Sequence, residues 1–443
     1  MSKDKQENIP SSKVQRAGRF FKTGMKVSGN YLKHYSKKVV NSNVDRKDLD
    51  KKNAEEIFKM LTQLKGTALK IAQIMSMDHG LLPEEYTEKF KEAHFNNKAL
   101  SGPLIVNTFK KYSGKLPTEL FDEFNPESVR AASIGQVHEA WKDGQKLAVK
   151  IQYPGVADSI HSDINMAKPL VLNLFGIKEK DIEQYLEEVV SKLVEETDYE
   201  HELANGEEIA KKCAALDYIT IPKYHADLSS KRFLTMDWLE GQPLTDFLAK
   251  KEEFSQEDRD KVGQQLLDFV HFQVHTLHQF HADLHPGNFF VMPDGKLGVL
   301  DFGCVKELPL DFYNNYFLML KAGLDNDVPK LRKYMYKMDF LRESDDEETD
   351  QLFFDVTLKT INLVAQPLVH DTFYFGNKEL FDELAKHGTE VSKKSEFRSS
   401  KAIRGPQDAI FLHRTFFGLY NILHDLNATV KLDRSFFDRL EEA

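Results

Sequence analysis

Three oxygen-bearing side chains lie close together in the segment FHADLHPGNFFVMPDGKLGVLDFG, residues 280–303. Asn288 follows Asp283 by five residues, and Asp301 follows Asp283 by 18. Between Asn288 and Asp301, short apolar runs on either side of an Asp-Gly pair predict a two-stranded ribbon. Such a ribbon brings its two ends together, so the three side chains are expected to converge. Two carboxylates and one amide oxygen suit a Mg²⁺ ion that also holds phosphate oxygens.

The same spacing is that of a protein-kinase catalytic loop, in which an acid, four residues and an amide precede Asp-Phe-Gly. A cation for the phosphates is then expected upstream on a strand. Lys150 in KLAVKIQ occupies the position of the lysine in a Val-Ala-Ile-Lys strand. Gly135 and Val137 fit the end of a glycine-rich phosphate loop, although its first two glycine positions hold Arg130 and Ala132.

A lysine that binds phosphate also needs a carboxylate that holds it in place. The segment LVEETDYEHELAN offers Glu196, Asp198 and Glu202, which lie on or beside one face if the segment is helical. The residues alone leave the choice among the three open.

Several motifs, in this order, resemble those of the UbiB/AarF/ADCK family of atypical kinases, which have protein-kinase-like folds. They are ALKIAQIMS with Lys70 and Gln73, RAASIGQVH, LAVKIQYPGV, EETDYEHELAN, HADLHPGNF and LDFG, within about residues 60–305. Two positions depart from the family pattern. Ala72 replaces the glycine of the Lys-x-Gly-Gln motif, and Arg130 opens the alanine-rich loop.

The resemblance implies ATP or ADP and Mg²⁺ as cofactors, and it implies roles for individual residues. The expected catalytic residues are Asp283, Lys150, Lys70 and Gln73. The expected nucleotide contacts are Ala131, Ala132, Ser133, Gly135, Val137, Lys150, Glu202, Met236 and Trp238. The expected metal ligands are Asn288, Asp301, Glu196 and Asp198.

The resemblance further implies an ATPase, or a kinase of a small molecule or lipid, that supports isoprenoid-quinone or lipid metabolism. A quinone precursor or lipid is the expected ligand besides the nucleotide. No Ala-Pro-Glu segment follows Gly303, which agrees with the absence of a platform for protein substrates. Two other classes stay open. One is an aminoglycoside- or choline-kinase-like phosphotransferase, and the other is a pseudokinase that binds nucleotide as an interaction module.

The expected architecture is an α+β, protein-kinase-like bilobal fold. It comprises a leader at residues 1–44, an N-terminal helical extension at 45–124, a small strand-rich N-lobe with a helical insertion at 125–240, and a large helical C-lobe at 241–443. The hairpin predicted from SIGQVHEAWK and KLAVKIQYP belongs to the N-lobe. The apolar segment 409–423 is interrupted by a histidine and an arginine, so we predict a buried helix there.

The leader carries ten Lys and Arg residues and two acids, although the whole chain has a net charge of −10. Its residues Phe21, Met25, Leu32, Tyr35 and Val39 fall near one stripe of a helix. Peripheral contact with an anionic membrane is one expectation, and a solvated tail is the alternative. We find no secretory signal and no run of 18 apolar residues, and we expect a cytoplasmic location and no nucleic-acid partner. Two cysteines do not indicate a disulfide framework.

Overall fold

The computed structural model describes residues 13–40, 46–64, 66, 70, 84–91, 99–131, 134–175, 179–282, 284–394 and 404–441. The chain divides into two compact units. The first unit contains residues 1–204 and 223–238, and the second contains residues 205–222 and 239–443. Residues 205–222, which the sequence analysis grouped with 125–240, therefore belong to the second unit.

The described helices and strands are numbered in chain order. The helices are α1 (Lys13–Val40), α2 (Arg46–Leu64), α3 (Glu84–Lys91), α4 (Gly102–Ser113), α5 (Pro117–Leu120), α6 (Val156–Phe175), α7 (Glu179–Glu196), α8 (Tyr199–Lys212), α9 (Leu244–Ala249), α10 (Gln256–Phe272), α11 (Leu310–Leu324), α12 (Val328–Lys337), α13 (Glu347–Val364), α14 (Lys378–Lys393) and α15 (Gln407–Leu426). The strands are β1 (Glu123–Ala131), β2 (Gly135–Lys142), β3 (Gln145–Gln152), β4 (Ile219–Thr220), β5 (Phe233–Asp237), β6 (Gln242–Pro243), β7 (Gln279–His281), β8 (Phe289–Val291), β9 (Leu297–Val299), β10 (Val305–Glu307), β11 (Thr372–Tyr374) and β12 (Thr429–Lys431).

An antiparallel sheet with strand order β1-β2-β3-β5 lies in the first unit. The predicted hairpin is confirmed as β2 and β3. Asp143 and Gly144 connect these strands with φ of 51° and 76°, the left-handed pair that a two-residue hairpin turn requires. Because this turn sets the register, Lys150 lies opposite Val137 on one side and Leu234 on the other.

Helices α1, α2, α3, α6 and α7 of the first unit share one apolar core. Its members include Phe20 and Val27 of α1, Ile57 and Phe58 of α2, Tyr86 and Phe90 of α3, Ile160 and Ile164 of α6 and Leu193 of α7. Because each helix contributes apolar residues to this core, burial of one face holds the bundle together.

The second unit is mainly helical and contains a sheet with strand order β4-β9-β8-β6. The predicted ribbon is confirmed as β8 and β9, which pair antiparallel with Phe289 opposite Val299. Gly295 in the connecting turn has φ of 77°. The predicted helix at 409–423 lies within α15, which buries an apolar face from Ala409 to Leu426. Among the described helices, none combines the length and the apolar character needed to cross a bilayer.

Candidate active site

Lys150 and Glu202 form a buried ion pair in the first unit. The Lys150 ammonium nitrogen Nζ lies 2.8 Å from Oε2 and 2.9 Å from Oε1 of Glu202. The two residues are 9% and 2% exposed. The ring of Tyr199 lies 5.0 Å from the same nitrogen and adds a cation–π contact. A buried charge is stable only when it is paired, so the pair fixes the position of the ammonium group on β3.

Asp198 immediately precedes α8, the helix that carries Glu202. Its Oδ2 lies 2.8 Å from Nζ of Lys231. Burial acts to raise the pKa of Asp198, but the hydrogen bond and charge of Lys231 and the backbone N–H groups of His201 and Glu200 lower it below its usual value. An ionised carboxylate at a helix N-terminus complements the helix dipole. Asp198 therefore stabilises the start of α8, and its role as a metal ligand stays a prediction.

Lys70 contacts Glu196, the last residue of α7. Its Nζ lies 2.8 Å from Oε1 of Glu196, and both side chains are mostly buried. The Lys70 backbone N–H donates to the carbonyl of Gly66 at 3.0 Å. Gly66 has φ of 56°, and a Cβ atom there would lie 2.5 Å from a methyl group of Val156. The positive φ and the close approach of Val156 both favour glycine at position 66.

Gly135, at the start of β2, is required for packing. A Cβ atom there would lie 2.6 Å from the carbonyl oxygen of Ile151 and 2.9 Å from the hydroxyl of Tyr199. Both distances are well inside ordinary van der Waals contact, so any side chain would separate β2 from β3. The glycine is thus explained by the sheet itself, whether or not phosphate approaches it.

The other predicted nucleotide contacts in the first unit lie on β1, β2 and β5 or just after β5. Ala131 ends β1, and Val137 lies beside Lys150 in the sheet register. Met236 is buried opposite Ala148, and the ring of Trp238 lies 4.0 Å from Nζ of Lys146. Gln73, Ala132, Ser133 and Asp283 lie outside the described residues, so their predicted roles stay predictions.

Asn288 and Asp301 are brought together in the second unit by the β8–β9 ribbon. The N–H of Leu300 donates to the Asn288 carbonyl at 2.8 Å. Asp301 has φ of 63°, an uncommon left-handed conformation for a residue other than glycine. Its Oδ1 accepts from the N–H of Gly303 at 3.3 Å. Residues in such conformations cluster at functional sites, where the surrounding structure holds them in place.

Phe302 anchors the segment that contains Asp301. Its side chain is fully buried, and its carbonyl accepts a hydrogen bond from Nδ2 of Asn205 at 3.0 Å. The backbone on the C-terminal side of Asp301 is therefore held both by packing and by a polar contact.

Asn288 and Asp301 offer side-chain oxygen atoms of the kind that bind magnesium. Amide and carboxylate oxygens are the ligands that Mg²⁺ takes, usually with water and phosphate oxygens completing the shell. Within the part of the chain that the structure describes, no three His, Cys, Asp or Glu side chains cluster as a metal site. The predicted third oxygen ligand near this pair, Asp283, lies outside that part.

Helix α15 packs directly behind the predicted catalytic loop, a contact between segments far apart in the sequence. Thr415 donates a hydrogen bond from Oγ1 to the carbonyl of His281 at 3.3 Å. A Cβ atom at Gly418 would lie 2.8 Å from the carbonyl oxygen of Leu284. In the sequence, the glycine within TFFGLY was the only sign that another segment approaches α15 closely. Nothing near it in the sequence indicated which segment that is.

Known proteins resemble the chain over most of its length. A family model described as the ABC1 atypical kinase-like domain matches residues 97–335. The chain is 26% identical to "Probable serine/threonine-protein kinase abkA" of Dictyostelium discoideum, covering 97% of this chain and 79% of that protein. It is 27% identical to "Atypical kinase coq-8, mitochondrial" of Caenorhabditis elegans, covering 86% of this chain and 50% of that longer protein.

A solved structure is similar over most of the chain. It is the complex of Rv3197 with erythromycin from Mycobacterium tuberculosis, with a TM-score of 0.61 and 26% identity. The alignment covers 89% of this chain and 96% of that one. Together with the family match, this similarity confirms the predicted α+β, protein-kinase-like fold.

Proposed function

The chain belongs to the ABC1 atypical kinase-like family, and from this premise we propose that it binds Mg²⁺·ATP and catalyses loss or transfer of the γ-phosphate. The acceptor is water, a small molecule or a lipid. The proposed physiological setting is isoprenoid-quinone or lipid metabolism, as the motif resemblance implies.

The observation that carries this proposal is the Lys150–Glu202 pair. In kinase-like proteins a strand lysine must be held by a helix glutamate before it can bind the nucleotide phosphates. Here both carboxylate oxygens lie within 2.9 Å of the ammonium nitrogen. This ion pair supports the proposal that Lys150 binds the nucleotide phosphates.

We assign separate roles in phosphate transfer to the other predicted site residues. Asn288 and Asp301 would hold Mg²⁺, which neutralises charge on the phosphates when it is bound. Asp283 would accept the proton of the attacking hydroxyl, as the acid of a kinase catalytic loop does. Lys70, paired with Glu196, would restrain access of an acceptor.

The test is phosphate release from Mg²⁺·ATP by the purified chain, measured together with the thermal shift that Mg²⁺·ATP causes. We expect saturable, Mg²⁺-dependent release. Asp301→Asn should remove the Mg²⁺-dependent part of the thermal shift, because a neutral amide replaces an anionic ligand. The matched control is Asp294→Asn, an exposed aspartate in the turn between β8 and β9, which should behave like the wild type.

A second pair of variants tests the Lys150–Glu202 ion pair. Glu202→Gln should lower turnover strongly, whereas Glu207→Gln, at an exposed position of the same helix, should not. A chain that binds Mg²⁺·ATP but releases no phosphate, with or without a phenolic quinone-precursor analogue or lipid vesicles, would contradict the catalytic proposal. That outcome would favour the pseudokinase alternative.

A further inference from the structure

One face of α1 presents large apolar side chains to solvent. Val14, Phe21, Met25 and Leu32 are 82%, 72%, 63% and 74% exposed. Their spacings of seven, four and seven residues correspond to whole helical turns, so the four lie in one line along the helix. We call this line the outer strip; it is about 27 Å long at 1.5 Å per residue. The predicted members Tyr35 and Val39 have no described side chains.

The opposite face of α1 is fixed to the first unit. Arg16 is buried, and its guanidinium donates to both carboxylate oxygens of Asp163 on α6 and to the carbonyl of Leu64 on α2. Phe20 and Val27 lie in the helical core. Because these contacts set the rotation of α1, the helix cannot turn to bury the outer strip.

Positive charge accompanies the outer strip. The 28 residues of α1 include eight Lys or Arg residues and no acid. Lys22 and Lys33 lie about 80° and 100° around the helix from the strip on the same side, at 100° per residue. The chain as a whole carries −10, so the residues outside α1 carry −18. An anionic surface would attract this helix and repel the rest of the protein.

We propose that the outer strip docks on the surface of an anionic lipid bilayer. The helix lies parallel to the membrane, its apolar side chains enter the boundary between headgroups and acyl chains, and Lys22 and Lys33 lie near the lipid phosphates. Charge favours this occupant over a second copy of the chain. Two outer strips packed together would bring two basic helices without acids side by side, which like-charge repulsion opposes.

The test is co-sedimentation of the full chain with vesicles of phosphatidylcholine alone and with vesicles that also contain phosphatidylserine. We expect binding to the mixed vesicles only, weakened by added salt. The variant Phe21→Ser/Met25→Ser/Leu32→Ser should lose binding. All three positions are exposed, so its melting temperature should stay near that of the wild type.

A second variant tests the two lysines, and two controls test general surface effects. Lys22→Glu/Lys33→Glu should bind the mixed vesicles at least about tenfold more weakly, because each basic residue near an anionic surface contributes about 1 kcal/mol. The variant Lys378→Glu/Lys386→Glu changes the net charge equally at exposed positions of α14 and should bind normally. The variant Val369→Ser/Tyr374→Ser removes exposed apolar groups of the second unit and should also bind normally.

Three results would overturn the proposal. The first is undiminished sedimentation of the triple serine variant. The second is equal binding to vesicles without phosphatidylserine. The third is a dimer in solution, with no vesicle binding, that the triple serine variant converts to a monomer, since the outer strip would then be a protein interface.

Discussion

Gly418 on α15 sets the position of the predicted catalytic loop, and the substitution Gly418→Ala tests this. The added Cβ would lie 2.8 Å from the carbonyl oxygen of Leu284 and 3.4 Å from its Cβ. Leu284 adjoins Asp283, the predicted catalytic acid. The nearest atom belongs to the backbone, so relief of the contact requires a shift of the loop or of the helix by a few tenths of an ångström.

The expected effect is on turnover more than on stability. A misplacement of about 1 Å at a reacting group can cost about a hundredfold in rate, so a smaller shift should lower phosphate release by about tenfold. Alanine is favoured over glycine inside a helix by up to about 1 kcal/mol, which offsets part of the steric cost. The affinity for nucleotide should change little, because the Lys150–Glu202 pair is held by β3 and α8.

Two glycines in other helices supply matched controls. Gly388 on α14 has no atom within 4 Å of an added Cβ, so Gly388→Ala should leave turnover unchanged. Gly323 on α11 is as crowded as Gly418, but its nearest neighbour is the side chain of Ile361 at 2.7 Å. Gly323→Ala should therefore lower the melting temperature without a specific loss of turnover.

The assays are phosphate release from Mg²⁺·ATP, thermal unfolding, and hydrogen exchange of the amides around Leu284. The last of these reports on loop position whether or not ATP is turned over. Wild-type turnover and exchange in Gly418→Ala would show that Gly418 does not position the loop. A fall in turnover only in proportion to the melting temperature, as expected for Gly323→Ala, would show the same.

Three further predictions concern ionisable side chains. Lys70→Ala should raise autophosphorylation or change nucleotide preference, because it removes the cation 2.8 Å from Glu196; wild-type binding, hydrolysis and autophosphorylation would make Lys70 a purely structural residue. Lys150→Ala should lower turnover and destabilise the first unit by about 3 kcal/mol in urea unfolding, because the Glu202 carboxylate stays buried without its partner; Lys150→Met/Glu202→Met should recover part of that stability. Burial lowers the pKa of His138 to about 4. As the pH falls below about 6.5, this histidine is therefore protonated in the unfolded chain before it is protonated in the folded chain. By about pH 5 this difference should lower the free energy of unfolding by about 2 kcal/mol. Urea titrations of His138→Gln should show a correspondingly flatter pH dependence, and an unchanged slope would contradict the assignment.

The parts of the site that follow from local chemistry could be predicted from the sequence. The Asp143–Gly144 turn fixes the β2–β3 register and hence the neighbours of Lys150. The β8–β9 ribbon likewise brings Asn288 near Asp301. Its two strands are equally long and antiparallel, so the residue before β8 lies next to the residues after β9. Both results depend only on strand alternation and on a turn type that has a clear residue signature.

Contacts between distant segments could not be predicted in the same way. From the sequence, three acids were possible partners of Lys150. In the structure the packing of α8 against the sheet brings Glu202 to Lys150. Glu196 pairs with Lys70 instead. The same limit applies to Gly418, whose neighbour Leu284 is more than 130 residues away in sequence. The helical period of α1 predicted an apolar stripe, but only tertiary contacts show that the stripe faces outward.

Gly135 is a motif residue whose identity packing alone explains. As part of a motif, it suggested a loop through which backbone N–H groups approach phosphate. The structure supplies a sufficient reason for the glycine without any ligand, because Ile151 and Tyr199 leave no room for a Cβ atom. The Lys150–Glu202 pair has no comparable structural explanation, since two apolar residues of similar volume would usually be no less stable than a buried ion pair. A costly arrangement that folding does not require is better evidence of function than a motif residue that packing alone demands.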